Sequence, residues 1–169
     1  MYATLPSLPK RYRKTFLDLI LTWGSIDVSL GYFAIVFVDE ESFFDAVDFL
    51  DKKSASSKLH EVVKLLKSVR ETPAILDTIR NLKKSKKSLK KHSVVRNHIA
   101  HSKCIGLHPN DKTIVCFLKF ERVGKEELAH YSVPFEEIER ALAWGKNFDA
   151  FLAASVFATK NGIPEVAQL

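Results

Sequence analysis

The stretch Pro73–Ser102, PAILDTIRNLKKSKKSLKKHSVVRNHIAHS, sets the architecture of this chain. From Ile75, steps of four and three carry one stripe through Ile79, Leu82, Lys86, Leu89, Ser93, Arg96 and Ala100, the repeat expected of a helix face. Unbroken, this stripe runs for about seven turns. It begins apolar and becomes polar. The run KKSKKS (83–88) leaves a second reading open, a break between two shorter helices. Thr72 is placed to cap the start, and Pro73 fits the first turn, where its missing N–H is no loss.

Upstream, apolar residues at Phe16, Ile20, Trp23, Leu30, Ala34 and Phe37 predict a helix from about Lys10 to Phe37. Gly24 and Gly31 weaken it by roughly 1 kcal/mol each relative to Ala, which points to close approach of a neighbouring helix. The segment before Pro9 reads as an irregular arm. Asp39–Glu41 and the Phe43–Phe44 pair predict a turn and a short helix to Leu50, and the serines of DKKSASS (51–57) can cap a helix over Lys58 to Arg70. After Gly106 the period changes. Thr113–Phe120 (TIVCFLKF) and Leu128–Val133 (LAHYSV) read as a β-hairpin over about 112–133. Pro134 then opens a last helix with Glu136, Glu137 and Glu139 near its positive end and an apolar stripe through Phe135, Ile138, Leu142, Phe148 and Leu152. The tail over about 160–169 reads as loose. The expected architecture is mainly α, one domain over 1–169: a bundle of about four to five helices with a small β-hairpin inserted before the last.

At 169 residues, with 46% hydrophobic and 27% charged residues, the chain is too short for a multidomain enzyme and too apolar for a disordered one. The most apolar stretch, Ile26 to Val38, carries Asp27 and is shorter than the roughly 20 residues a bilayer span needs. No signal peptide follows the basic MYATLPSLPKRYRK, and Cys104 and Cys116 make no disulfide framework. A cytoplasmic protein with no membrane partner is expected.

Net charge is +6, and its location matters more than its size. Between Thr78 and Asn110 there are nine Lys or Arg and no Asp or Glu, leaving 17 basic against 20 acidic residues elsewhere. Lys83, Lys84, Lys86, Lys87, Lys90 and Lys91 form a stripe that would attract a phosphate backbone through counterion release. A solvated helix face is the plainer reading of the same run.

The stripe leads into VVRNHIAHS, Val94–Ser102. On a regular helix counted from Ile75, Arg96 and Ala100 fall to one side of the direction in which Ile75 points, and Asn97 and His101 fall to the other. The four straddle the core-facing direction, whereas His98 lies further round and points outward. A guanidinium and an imidazole on such a face need a polar cleft, a second subunit or an acidic partner. Asp27 keeps step with Trp23 and Leu30 and, if inward, is a candidate to pair with Arg96 or orient His101. The alternative rotation puts Ile26 inward and leaves Asp27 solvated.

The string R-N-x-x-A-H near the end of a long helix, Arg96 to His101, resembles the motif of the HEPN (higher eukaryotes and prokaryotes nucleotide-binding) superfamily, an Arg followed four to six residues later by His. The resemblance implies a helical bundle, a homodimer that juxtaposes two motifs, and metal-independent RNA cleavage, in a toxin or defence setting with an antitoxin protein as partner. Arg96 would stabilise charge on the phosphorane, His101 would transfer protons, and Asn97 would orient the scissile phosphate. It equally implies a non-catalytic interaction or nucleotide-binding module, since many such proteins are inactive. His98 joins the lysines as a candidate nucleic-acid contact. Neither HxxxH nor HExxH occurs, and there is no glycine-rich phosphate loop, so no metal and no cofactor are expected.

Overall fold

The computed structural model describes residues 8–36, 47, 53–69, 71–123 and 125–162, with the side chains of 121–127 and 160–162 outside that description. Four helices and one three-stranded sheet lie within it: α1 (Lys10–Ile35), α2 (Ala55–Ser68), α3 (Pro73–His101), β1 (Lys103–Leu107), β2 (Ile114–Val123), β3 (Lys125–Pro134) and α4 (Phe135–Gly162). The chain is thus mainly α, a helical bundle with a small β element before the last helix. The irregular N-terminal arm and the short helix expected at 43–50 fall almost wholly outside the described residues.

Local chemistry sets the boundaries. Ser54 caps α2 by accepting the Ser57 N–H at 3.3 Å, and Thr72 caps α3 by accepting the Ile75 N–H at the same distance. Helix α3 is unbroken through KKSKKS. Its lysines all face solvent, where water and salt screen their repulsion, while Leu82 and Leu89 are buried on the other side. Helix α4 continues through Gly162, past residue 160, where a loose tail is expected to begin.

The sheet holds one strand more than the hairpin. Its order is β1-β2-β3, antiparallel throughout, with β2 in the centre. Strand β1 pairs Lys103 with Leu118 and Cys104 with Phe117, then shifts register so that Gly106 meets Cys116. Gly106 carries the shift at φ 122°, a conformation costly for any residue with a Cβ.

Contacts gather the chain into two compact units within the span expected to form one domain. The first comprises residues up to Trp23, Lys91 to Gly145, and hence the whole sheet. Tyr12 stacks on Phe135 with ring centroids 3.8 Å apart, Phe16 packs on Phe117 at 6.0 Å, and Trp23 on Trp144 at 5.9 Å. The close approach expected at Gly24 and Gly31 occurs instead at Gly145. A Cβ there would sit 2.9 Å from Trp23 Cζ3, whereas one at Gly24 or Gly31 would meet nothing within 4 Å among the described residues.

The second unit comprises Gly24–Lys90 and residues from Lys146 onward. Leu30, Phe33, Leu59, Val62, Leu66, Ile75, Leu82 and Leu152 are buried in it. Ser25 and Ser29 on α1 donate to Asp149 on α4 at 2.7 and 3.1 Å. Helix α1 buries Leu19, Trp23, Ile26, Leu30 and Phe33, so Ile26 takes the inward place and Asp27 sits on the flank. By length and composition α1 is also apolar enough to cross a membrane, a test that a core helix meets equally. The most apolar stretch of the sequence begins at Ile26, well inside this longer element.

Candidate functional site

Helix geometry decides where the RNxxAH residues lie. A strict seven-residue repeat drifts about 20° per heptad on an α-helix, so a stripe followed in steps of four and three turns steadily as it proceeds. On α3 the covered side passes through Thr78, Leu82 and Leu89 and then through half-buried His92, buried Val95 and half-buried Ile99. Lys86 and Ala100, assigned to the inner stripe from sequence, are exposed. Among Arg96, Asn97 and His101, only Arg96 stays on the covered side, half-buried; Asn97 and His101 are exposed. The expectation that the whole cluster faces the core is therefore corrected for these two.

The three side chains nevertheless meet. Arg96 Nη1 donates to Asn97 Oδ1 at 3.1 Å and reaches His101 Nε2 at 3.4 Å. A guanidinium has only donors, so the second contact requires a lone pair on His101 Nε2, with the ring proton on Nδ1. Arg96 Nε is buried and finds no acceptor among the described residues, and Ser102 Oγ is likewise without a partner there. Arg96 Nε is out of reach of solvent, so an oxyanion arriving from outside meets the cluster at exposed Asn97 and His101.

His98 does not point outward. Its ring lies 4.3 Å from that of Tyr131 and 6.5 Å from that of Phe117, against the inner face of the sheet, which makes it a packing residue and a poor nucleic-acid contact. Asp27, expected to pair with Arg96 or orient His101, has its carboxylate engaged within its own unit. Its carboxylate accepts from Lys58 Nζ at 2.6 Å. Lys58 is only 4% exposed, and a buried ammonium requires such a counter-charge. Sequence reasoning missed Lys58, although it precedes Val62 by four residues and so belongs to the apolar stripe of α2.

Lys83, Lys84, Lys86, Lys87, Lys90 and Lys91 are all exposed. Steps of four and three on this side of α3 join Lys83, Lys87, Lys90, Val94, Asn97 and His101, every one exposed. The basic run and the motif histidine thus share a helix face. No group of three or more metal-ligating side chains occurs among the described residues. Both cysteines are free, and burial pushes the Cys104 thiol above its usual range.

Compared with known proteins, the chain matches no family model, no curated protein and no solved structure.

Proposed function

We propose that this protein is a HEPN-like, metal-independent endoribonuclease that works as a homodimer on RNA in the cytoplasm, in a toxin or defence role under the control of an antitoxin partner. One observation carries the reading: Arg96 joins Asn97 and His101 into a single polar cluster at the end of the lysine-bearing helix. RNA supplies its own nucleophile. The 2′-oxygen forms a bond to phosphorus as its proton passes to His101 Nε2, whose lone pair Arg96 Nη1 gives up as the guanidinium turns to the phosphate, and the 5′-oxygen leaves with a proton from a second acid. One imidazole cannot conveniently serve at both ends, and the second copy's His101 provides the acid. Arg96 faces the charge that grows on the non-bridging oxygens, Asn97 donates to one of them, and the lysines hold flanking phosphates.

A second reading has its own support. With Asp27 bound to Lys58, no carboxylate among the described residues bonds to His101 to orient its ring, which suits a phosphate-binding module without catalysis. Incubating the protein with mixed RNA in a chelator, beside Arg96→Ala and His101→Ala, separates the two. Cleavage by wild type and its loss in both variants supports the nuclease. RNA binding without cleavage supports the module, and a monomer by light scattering at micromolar concentration removes the composite site.

A further inference from the structure

The sheet has two faces of different character, and the nuclease reading uses neither. Paired residues in an antiparallel sheet point to the same side, and the side alternates along each strand. Val115, Phe117, Tyr131 and Val133 form the inner face, fixed by the contacts of Phe117 with Phe16 and of Tyr131 with His98. Cys116, Leu118 and Phe120 therefore point outward, opposite Ser132, His130 and Leu128. Exposure grows along this outer row. Cys116 is buried, Leu118 half-buried, and Phe120 is 83% exposed beside Leu128 at 53%.

A phenyl ring presented this fully on a strand has little folding role. Beside it, the register sets Lys103, Leu118 and His130 in one row across all three strands, with both the lysine and the histidine exposed. Lys103 begins β1 only two residues after His101. Adjacent strands are about 4.8 Å apart and alternate residues on one face about 6.8 Å, so Phe120 lies within roughly 10 Å of Lys103 along the backbone framework. An open sheet face with an aromatic ring beside a lysine and a hydrogen-bonding imidazole matches the way unpaired bases are held, stacked on a ring while their phosphates meet a cation and polar side chains. A second protein chain would use the apolar pair Phe120 and Leu128 but gain nothing from the Lys103–His130 row.

We infer that the outer face of the sheet is a second contact for single-stranded RNA, where a base close to the phosphate bound at Arg96 and His101 stacks on Phe120 while Lys103 and His130 hold its backbone. This rests on the proposed RNA function, and the test keeps the two apart. The probe is a 2′-O-methyl RNA dodecamer, which cannot be cleaved, carrying one 2-aminopurine and titrated with the full chain by anisotropy and by 2-aminopurine fluorescence. Phe120→Ala and Phe120→Leu are expected to weaken binding by about 5- to 100-fold and to abolish the stacking quench, while Phe120→Trp retains both. Lys103→Gln weakens binding and lowers its salt dependence. The exposed position of Phe120 leaves folding intact, which thermal unfolding of each variant verifies. Equal binding by wild type and Phe120→Ala overturns the inference and leaves the nuclease reading standing. So does full binding by Phe120→Leu, since that variant keeps apolar area without a ring. A dimer that becomes monomeric in Phe120→Ala with RNA binding unchanged overturns it too, and assigns the face to self-association. Failure of wild type to bind removes the RNA function itself.

Discussion

The Lys58–Asp27 pair makes an asymmetric prediction. The lysine side chain is 5% exposed, the aspartate 43%. Asp27→Asn removes the charge from the wetter partner and leaves a largely buried ammonium without its counter-charge. Breaking a fully buried pair costs about 3–5 kcal/mol, and the partial exposure of Asp27 reduces this to about 2–3 kcal/mol. Lys58→Met removes the buried charge and keeps an unbranched apolar chain, leaving a half-exposed carboxylate that solvent can serve, so it costs less than about 1 kcal/mol. In a chain of 169 residues, about 1 kcal/mol corresponds to a shift in Tm of about 2–4 °C. Thermal and urea unfolding should thus place Asp27→Asn at least about 4 °C below wild type and Lys58→Met close to it. The double variant should be more stable than Asp27→Asn alone, because its second change removes the stranded charge. Equal losses in the two single variants, or a double variant less stable than either, would refute the reasoning.

Three further expectations follow from the geometry. Gly145→Ala drives a methyl into Trp23 and should destabilise by about 1–2 kcal/mol after the helix-propensity gain, whereas Gly24→Ala and Gly31→Ala, with nothing among the described residues within 4 Å of the added methyl, should stabilise by about 0.5–1 kcal/mol in urea unfolding; a stabilising Gly145→Ala contradicts the contact. His92 lies near Lys91, Glu137, Arg140 and the Trp144 ring; burial first and Lys91 second hold its pKa below the usual value, with Glu137 opposing. A depressed histidine pKa means the unfolded chain binds the proton more readily, so this contribution is present at about pH 7 and lost as pH falls through the ordinary histidine range. His92→Gln should therefore flatten the fall in Tm between about pH 7 and 5, and an unchanged slope would count against it. If the lysine face carries phosphates, replacing Lys83, Lys87 and Lys90 by Gln should lower the slope of log affinity against log salt by about 2, read by anisotropy with single-stranded RNA, and an unaltered slope removes the lysines from the interface.

Much of the architecture is legible from local signals. Thr72 and Pro73 mark the start of α3, the serines before α2 mark its cap, and the β-branched run TIVCFLKF marks β2, because caps and strand preferences act within a few residues. Arg96, Asn97 and His101 stand out in the sequence as polar residues closely spaced near the end of a long helix, and in the structure their side chains meet. Strand β1 was not legible, since KCIGL is too short to declare itself and becomes a strand by pairing with β2.

Composition and period alone establish the helical class, the late β insertion, the concentration of positive charge between Thr78 and Asn110, and the presence of an arginine and a histidine at helical spacing. The chain carries these in its order. Which way each side chain faces is settled by packing. A rotation of one residue on α1 turned Ile26 inward and left Asp27 to Lys58, and the turning of the covered face along α3 kept Arg96 half-buried while it brought His101 to the lysine side. A rotation of about 100° per residue makes such assignments sensitive to a single step, and contact with neighbouring elements is what fixes that step.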